Sequence, residues 1–293
     1  MTAPRDQSDP APLLRLGYAA PSTRVAAVRV SGGRAEPVIE VIAEETPVTI
    51  AYNGAAHAVM MATPADLEDF AVGFSLTEGL VESAAQIMGI TVVRYSRGIE
   101  LQLDVPAEVA AGAGTRSRRL SGRTGCGICG TESVDQVLRE LPSISSSARF
   151  AGEAIGRAMQ ELAGRQPLNA ITGAVHAAGW ARSDGTLVLV REDVGRHNAL
   201  DKLVGAIVRM DAHAAEGFVV VTSRGSFELV QKTAILGAPL LAAVSAPTAL
   251  AIRVAESTGL TLAGFARDER VTLYTHAERV TFPTPSLPPE TIS

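Results

Sequence analysis

The sequence predicts an α/β protein, with a small α+β unit followed by a larger unit in which helix and strand alternate. Three observations carry this. The first hundred residues are dominated by short β-branched runs separated by turn residues, with a single helical stretch among them. Beyond residue 150, apolar runs of four to six residues alternate with segments of helical period, the rhythm of strands joined through covering helices. Between the two lies a stretch of Gly, Arg and Ser with no periodicity at all, which marks a break.

In the first unit, Val25 to Val30 and Val38 to Ile42 are rich in β-branched residues, which favour strands. Val48 to Tyr52 and Ala56 to Met61 flank Asn53-Gly54, a strong hairpin signal. A helix is expected next, with Thr63 as its cap, Pro64 in its first turn and Asp66 near its positive end. Its apolar face is Leu67, Phe70, Ala71, Phe74 and Leu76. Ile90 to Tyr95 and Ile99 to Val105 are two further strands. The break is expected at Ala111-Gly112-Ala113-Gly114, leading into Arg116, Arg118, Arg119 and Arg123 and the run Thr124-Gly125-Cys126-Gly127-Ile128-Cys129-Gly130. Thr131 suits the N-cap of a helix ending near Leu141.

The second unit is expected to run as helix Glu153 to Leu162, strands His176 to Ala181 and Leu187 to Val190, and helix Arg196 to Met210. Strand Phe218 to Thr222, helix Phe227 to Leu236, strand Leu240 to Val244 and helix Ala249 to Ser257 follow. Strands Thr261 to Phe265 and Val271 to Tyr274 close it. The expected organisation is a disordered tail over 1–15, a small α+β domain over 16–115, and a mobile basic, Gly-rich CxxC loop over 116–130. An α/β domain over 131–281 and a Pro-rich disordered tail over 282–293 complete it.

Composition narrows the function. The chain has 293 residues, 46% of them hydrophobic, and a net charge of −5, which argues against a protein that coats nucleic acid. No apolar run approaches the ~20 residues that span a bilayer, and the polar, Pro-rich start lacks the apolar core of a signal peptide. A cytoplasmic protein without a membrane partner is expected. Its two cysteines lie within four residues of each other, so a chemical role is expected rather than a disulfide framework.

The cysteine loop admits three readings. Structural zinc needs four ligands, and a second Cys pair is absent. A thioredoxin-like pair opens a helix directly after a buried strand, whereas polar and basic residues precede Cys126. A sulfur-carrying nucleophile suits the composition best. The upstream arginines and a downstream helix start favour a thiolate, and Gly125, Gly127 and Gly130 let the loop approach a partner closely.

Two strand-to-helix junctions are suited to anions. Arg191-Glu192-Asp193-Val194-Gly195-Arg196-His197-Asn198 sits where a strand ends and a helix begins, the usual ligand position of open α/β sheets. Its plainer reading is a solvated helix cap with Asp193 as the capping group. Thr222-Ser223-Arg224-Gly225-Ser226 repeats the arrangement without a Walker lysine. The turn Phe265-Ala266-Arg267-Asp268-Glu269-Arg270 reads on its own as an ordinary charged hairpin. His176, in an apolar stretch, reads as a hydrogen-bonded core residue; His57 and His213 read as structural or exposed. The pattern His276-Ala277-Glu278 lies downstream of the cysteines, and Gly125 rather than Pro precedes Cys126, so the order is wrong for a zinc deaminase.

Taken together, five motifs resemble the formate dehydrogenase accessory sulfurtransferase family (FdhD). They are Gly73-Phe74-Ser75-Leu76-Thr77-Glu78-Gly79, Cys126-Gly127-Ile128-Cys129-Gly130, Thr172-Gly173-Ala174-Val175-His176, the stretch Arg191 to Lys202, and Ser223-Arg224-Gly225-Ser226-Phe227-Glu228. They follow the family's order from about Val25 to Val280, and REDVGRHNALDK is the most specific. Thr124-Gly125 departs mildly from the small hydroxyl residues usual before the first cysteine.

The resemblance implies a cytidine-deaminase-like, three-layer second domain that has lost its metal site, so no zinc is expected. It implies a sulfurtransferase that takes sulfur as a persulfide from a cysteine desulfurase. The acceptor implied is the molybdenum (or tungsten) bis(molybdopterin guanine dinucleotide) cofactor destined for formate dehydrogenase apo-enzyme. Cys126 is the implied persulfide carrier with Cys129 assisting. Phe265, Ala266, Arg267, Asp268, Glu269 and Arg270 match the family's cofactor-contacting segment, while Gly195-Arg196-His197 and Ser223-Arg224-Gly225-Ser226 suit the guanosine phosphates. A homodimer is also implied. The competing functions are a cofactor chaperone that does not use its cysteines, and a zinc-dependent hydrolase, which would need stoichiometric metal.

Overall fold

The computed structural model describes residues 20–120, 140–267 and 270–282. Cys126 and Cys129, with Arg123 and the helix expected from Thr131, lie outside the described residues, as do Asp268 and Glu269.

The chain opens with an antiparallel ribbon, β1 (Ser22–Ser31) and β2 (Arg34–Ala43). A four-stranded mixed sheet follows, built from β3 (Thr46–Tyr52), β4 (Ala55–Ala62), β5 (Gly89–Tyr95) and β6 (Gly98–Asp104) in the order β4-β3-β6-β5. Strand β6 alternates cleanly, with Ile99, Leu101 and Leu103 buried and Glu100 and Gln102 on the other face, the pattern of a sheet packed on one side. Helix α1 (Leu67–Thr77) covers that side. Its Leu67, Phe70, Ala71 and Phe74 join Val48, Ile50, Tyr52 and Leu101 in one core. The expected apolar face of this helix is the observed one.

Two sequence expectations fail here. The helix is not capped by Thr63, because Thr63 and Pro64 precede it and Asp66, at φ +53°, is the N-cap. Nor does the chain break at residues 111–114, for helix α2 spans Ala107–Leu120. Its alanines favour helix over its two glycines, and Val109, Ala110 and Ala113 pack against the sheet core. Residues 116–120, expected in the loop, are the last turn of this helix.

The second part centres on a six-stranded sheet among the described residues. Its strands are β8 (His176–Arg182), β9 (Leu187–Asp193), β10 (Gly217–Val221), β11 (Leu240–Ala243), β12 (Thr261–Arg267) and β13 (Arg270–Leu273), ordered β13-β12-β11-β10-β8-β9. Helix α3 (Gly152–Gly164) packs on one face through Ile155, Ala158 and Leu162. Helix α4 (Pro167–Thr172), which the sequence reading missed, joins α3 to β8. On the other face lie α5 (Arg196–Arg209), α6 (Phe227–Leu236) and α7 (Ala249–Thr258), with Leu200, Leu203, Leu229 and Val230 against Val219, Val221 and Leu241. A short parallel pair, β7 (Phe150–Ala151) with β14 (Val280–Thr281), ties the end of the fold to the start of α3. No helix among the described residues is long and apolar enough to cross a membrane.

Helices α1 and α5 join the two parts, crossing antiparallel at backbone contact. A Cβ on Gly73 would fall 1.7 Å from the carbonyl oxygen of Asp201, and one on Gly205 would fall 1.9 Å from that of Asp69. Each glycine thus makes room for the other helix's main chain, which no larger residue permits.

Candidate functional site: the carboxyl edge of the six-stranded sheet

The pairings fix one edge of the sheet as special. Strand β8 is antiparallel to both β9 and β10, while β10, β11 and β12 are mutually parallel. Hence β9, β10, β11 and β12 all end on the same side, and β8 and β13 begin there. Asp193, Val221, Ala243 and Arg267 close the four strands, and His176 and Arg270 open the other two. Helices α5, α6 and α7 all start from this edge, after Gly195, Ser226 and Thr248. Three helix N-termini therefore face one ledge, and each helix dipole adds positive potential.

The turns are tied to one another. Gly225 makes an isolated bridge to Pro247, and Thr248 N–H donates to Gly225 O at 3.0 Å. The Thr248 hydroxyl accepts from Ala251 N–H at 3.3 Å, whereas Ser226 makes no such bond to its own helix. Its Oγ is buried without a hydrogen-bond partner among the described residues, and so is Arg196 Nε. Unpaired buried polar atoms are rare and costly, and these two flank the junctions read as anion-ready. The starts of α5 and α6 approach each other where His197 Nε2 lies 2.7 Å from Glu228 Oε2.

Arg224, Arg267 and Arg270 are exposed along the ledge. Phe265 is 42% exposed and holds φ +50°, the left-handed region that a bulky residue adopts only when its surroundings impose it. Here its N–H is held by Ser245 O at 3.2 Å, and the β12–β13 ladder is irregular between Gly264 and Arg267. Ala266 turns into the core beneath. His176 is half-buried at the middle of the edge, and burial, then Arg196 and His197, hold its pKa below the ordinary imidazole value against the pull of Asp193. The sequence reading of His176 as a core residue is therefore corrected: it is half-buried and opens β8 on the ledge, beside Arg196 and His197.

Most of the long motif Arg191 to Lys202 does something other than face a ligand. Asp193 and Lys202 are both fully buried and paired at 2.7 Å. Asp193 accepts from Thr63 N–H, Gly195 N–H and Asn198 Nδ2, and Lys202 donates to Thr63 O. The Thr63 hydroxyl accepts from Val194 N–H. One residue at the end of β4 thus holds the β9–α5 junction at three points. The solvated-cap reading of Asp193 is corrected accordingly: it does accept from Gly195 N–H, but inside the protein.

Two further polar nodes line the same seam. Arg191 donates through Nε and Nη2 to Asp69, which Arg209 also contacts. Lys232 bonds to Asp201, Thr77 and Glu78. Burial works against the Lys232 ammonium, but the carboxylates of Asp201 and Glu78 outweigh it and hold its pKa above the ordinary lysine range. Glu192 caps α4 by accepting from Leu168 N–H and Asn169 N–H.

Of the sequence candidates, the fold brings Gly195, Arg196, His197, Ser223, Arg224, Gly225, Ser226, Phe265, Arg267 and Arg270 to a single edge. Sequence reasoning missed the third junction, Val244-Ser245-Ala246-Pro247-Thr248. Its signal was present in Ser245, Pro247 and Thr248, the composition of a turn that opens a helix. His57 is buried between Tyr52 and Phe74, with Nδ1 3.1 Å from Ala113 O, as its structural reading expected. Among the described residues no three His, Cys, Asp or Glu side chains come together to hold a metal ion.

Comparison with known proteins places the chain in a family. The model of the FdhD/NarQ family matches residues 43–281. The sulfur carrier protein FdhD of Xanthomonas axonopodis pv. citri (strain 306) is 54% identical over 252 residues, 86% of this chain and 90% of its own length. The protein of the same name from Bordetella petrii is 50% identical over 272 residues, 91% of this chain and 98% of its own. A crystal structure described as that of a formate dehydrogenase accessory protein from Desulfotalea psychrophila superposes with a TM-score of 0.72. It has 27% sequence identity and covers 89% of this chain and 99% of its own. On the family match and these relatives together, the chain belongs to the FdhD/NarQ family.

Proposed function

We propose that the protein is a sulfurtransferase that serves formate dehydrogenase maturation, with Cys126 as its sulfur carrier. The Cys126 thiolate attacks the terminal sulfur of a cysteine desulfurase persulfide. A new S–S bond forms, the donor's bond breaks, and the donor cysteine leaves as a thiolate. The acceptor is the molybdenum (or tungsten) bis(molybdopterin guanine dinucleotide) cofactor, bound as substrate and passed on to the apo-enzyme. Cys129 assists by exchange: its thiolate attacks the inner sulfur of the Cys126 persulfide, closes a Cys126–Cys129 disulfide and expels sulfide. The names of the relatives support a sulfur-transfer role.

The observation that carries the acceptor is the ledge. Three helix starts, exposed arginines and the unpaired Arg196 Nε and Ser226 Oγ suit the phosphates of a guanosine diphosphate moiety, and the exposed Phe265 suits its base. Asp268 and Glu269 complete the proposed contact segment. The position of α2 supports delivery. It leaves Val105, which is bonded to Asn53, and passes His57 at Ala113. It therefore runs along β4 toward Thr63 and the clamped β9–α5 junction. Cys126 follows Leu120 by six residues, a reach of about 20 Å when extended. The same reading takes the six-stranded unit, 131–281, as cytidine-deaminase-like without its metal, the 16–115 unit as the smaller domain, and the cytoplasm as the location.

Calorimetry with guanosine diphosphate tests the ledge. Binding that weakens about tenfold or more in Arg196→Ala, Arg224→Ala and Arg267→Ala agrees with it, a tenfold loss being about 1.4 kcal/mol. No binding, or binding unchanged in all three variants, contradicts it. The alternative of a chaperone that binds and delivers the cofactor without using its cysteines rests on the same ledge. It is favoured only if Cys126→Ala still activates formate dehydrogenase.

A further inference from the structure

We propose that residues 13–19 of this chain dock along the free edge of β9 and add a strand to the six-stranded sheet. The strand order ends at β9, so its outer edge pairs with no other strand among the described residues. The register shows which groups face that edge. Thr222 N–H donates to Ala177 O, and Ala177 N–H donates to Thr222 Oγ1, so Ala177 turns its main chain toward β10. Its neighbours His176 and Ala178 turn theirs toward β9, opposite Asp193 and Arg191. Val190 and Glu192, at the alternate positions, therefore present N–H and C=O to the open edge.

Side chains at the end of α3 cover the start of this edge: Leu187 N–H donates to Glu161 at 3.0 Å, and Leu187 O accepts from Arg165. Beyond Leu187 the edge runs along a groove of about 500 Å³. Val188 to Glu192 form its floor, with Ala65 and Asp66 on the α1 side and Pro167 and Leu168 on the α4 side. At the other end of the sheet, β13 is four residues long and begins with Arg270, the short, charged form that discourages further pairing. β9 has neither guard, being seven residues long and reading Leu-Val-Leu-Val before its first charge.

Three observations select the chain's own N-terminal segment as the occupant. The first is reach. Pro21 itself lines the groove, and the residues before Ala20 lie outside the described ones. Seven residues extend about 23 Å, against roughly 17 Å for Val188 to Glu192. The second is pattern. Leu14, Leu16 and Tyr18 alternate with Leu13, Arg15 and Gly17, which gives an apolar face for Pro167, Leu168 and the floor. Pro10 and Pro12 end the stretch that can pair as a strand. The third is charge. Arg165 and Arg191 each face a carboxylate already, Glu161 at 3.2 Å and Asp69 at 2.7 Å. The exposed Asp66 lies 3.6 Å from Arg191 Nε, which leaves it open to Arg15. A tethered segment is also present at roughly millimolar effective concentration, so it prevails over free peptides. Since β9 ends at Asp193, the docked segment braces the strand that carries the β9–α5 junction.

The test is amide hydrogen exchange of the full chain, of a form lacking residues 2–19, and of the full-length double variant Leu14→Asp/Leu16→Asp. The Val190 and Glu192 amides should exchange about tenfold or more slowly in the full chain than in either altered form. A synthetic peptide of residues 12–20, added to the truncated form, should restore that protection. Ile99 and Leu101, in the other sheet, should exchange alike in all three proteins, which verifies the fold. Equal exchange at Val190 and Glu192 in all three overturns the proposal and leaves the groove to a segment of a partner protein. Protection lost equally at Leu101 also overturns it, because the segment would then support the whole fold rather than this edge.

Discussion

Lys202→Met would leave Asp193 as a buried carboxylate without its counter-ion. Both side chains are 0% exposed and paired at 2.7 Å. Methionine has nearly the length and volume of lysine, so little cavity opens and the loss is electrostatic. Asp193 keeps its three N–H donors, but Thr63 O loses the ammonium that lies 2.8 Å away. Removing one partner of a buried pair costs about 3–5 kcal/mol, a fifth or more of the ~5–15 kcal/mol that holds a typical protein together. At about 2–4 °C per kcal/mol for a chain of this size, the melting temperature should fall by roughly 6–20 °C. The assay is scanning calorimetry of wild type, Lys202→Met, Asp193→Asn and the double variant. The double variant should recover part of the loss, because it leaves no unpaired charge. A single-variant cost below about 1 kcal/mol would refute the reasoning, since that is the range of an exposed pair.

Two other outcomes follow from the same geometry. Gly205→Ala places a methyl 1.9 Å from Asp69 O and should prevent α1 and α5 from closing. Gly112→Ala in α2 meets open space and should gain about 0.5–1 kcal/mol; equal melting temperatures for the two variants would contradict the crossing. His176 should titrate by NMR below its ordinary value of 6.5. With the folded pKa lower than the unfolded one, the unfolded chain binds the extra proton first. The His176 contribution is therefore present above about pH 6.5 and lost as pH falls through that window toward the folded pKa. His176→Gln should flatten the acid limb of the stability curve, and an unchanged limb would count against it.

Much of the fold was legible because burial follows period. The alternation of Ile99, Leu101 and Leu103, and the stripe from Leu67 to Phe74, placed strands and helix correctly. The break at residues 111–114 was misread because glycine is a local signal, while α2 is held by Val109 and Ala113 against a sheet core that includes β3 and β4, about fifty to sixty residues earlier. The motif Arg191 to Lys202 was legible as important but not as to why. Which of its charges face a ligand depends on Thr63, Asp69 and Lys232, each distant in sequence. The ledge itself was half legible: two junctions were found from composition, and the third became visible once β9 through β12 proved to run in one direction.

The central claim is that Cys126 carries sulfur, and intact mass tests it most directly. The purified chain is incubated with a cysteine desulfurase and cysteine, then weighed with and without reductant. The account predicts a gain of one sulfur atom that reductant removes and that Cys126→Ala abolishes. A chain that gains no sulfur while both thiols stay free, or that gains it equally without Cys126, would contradict the account.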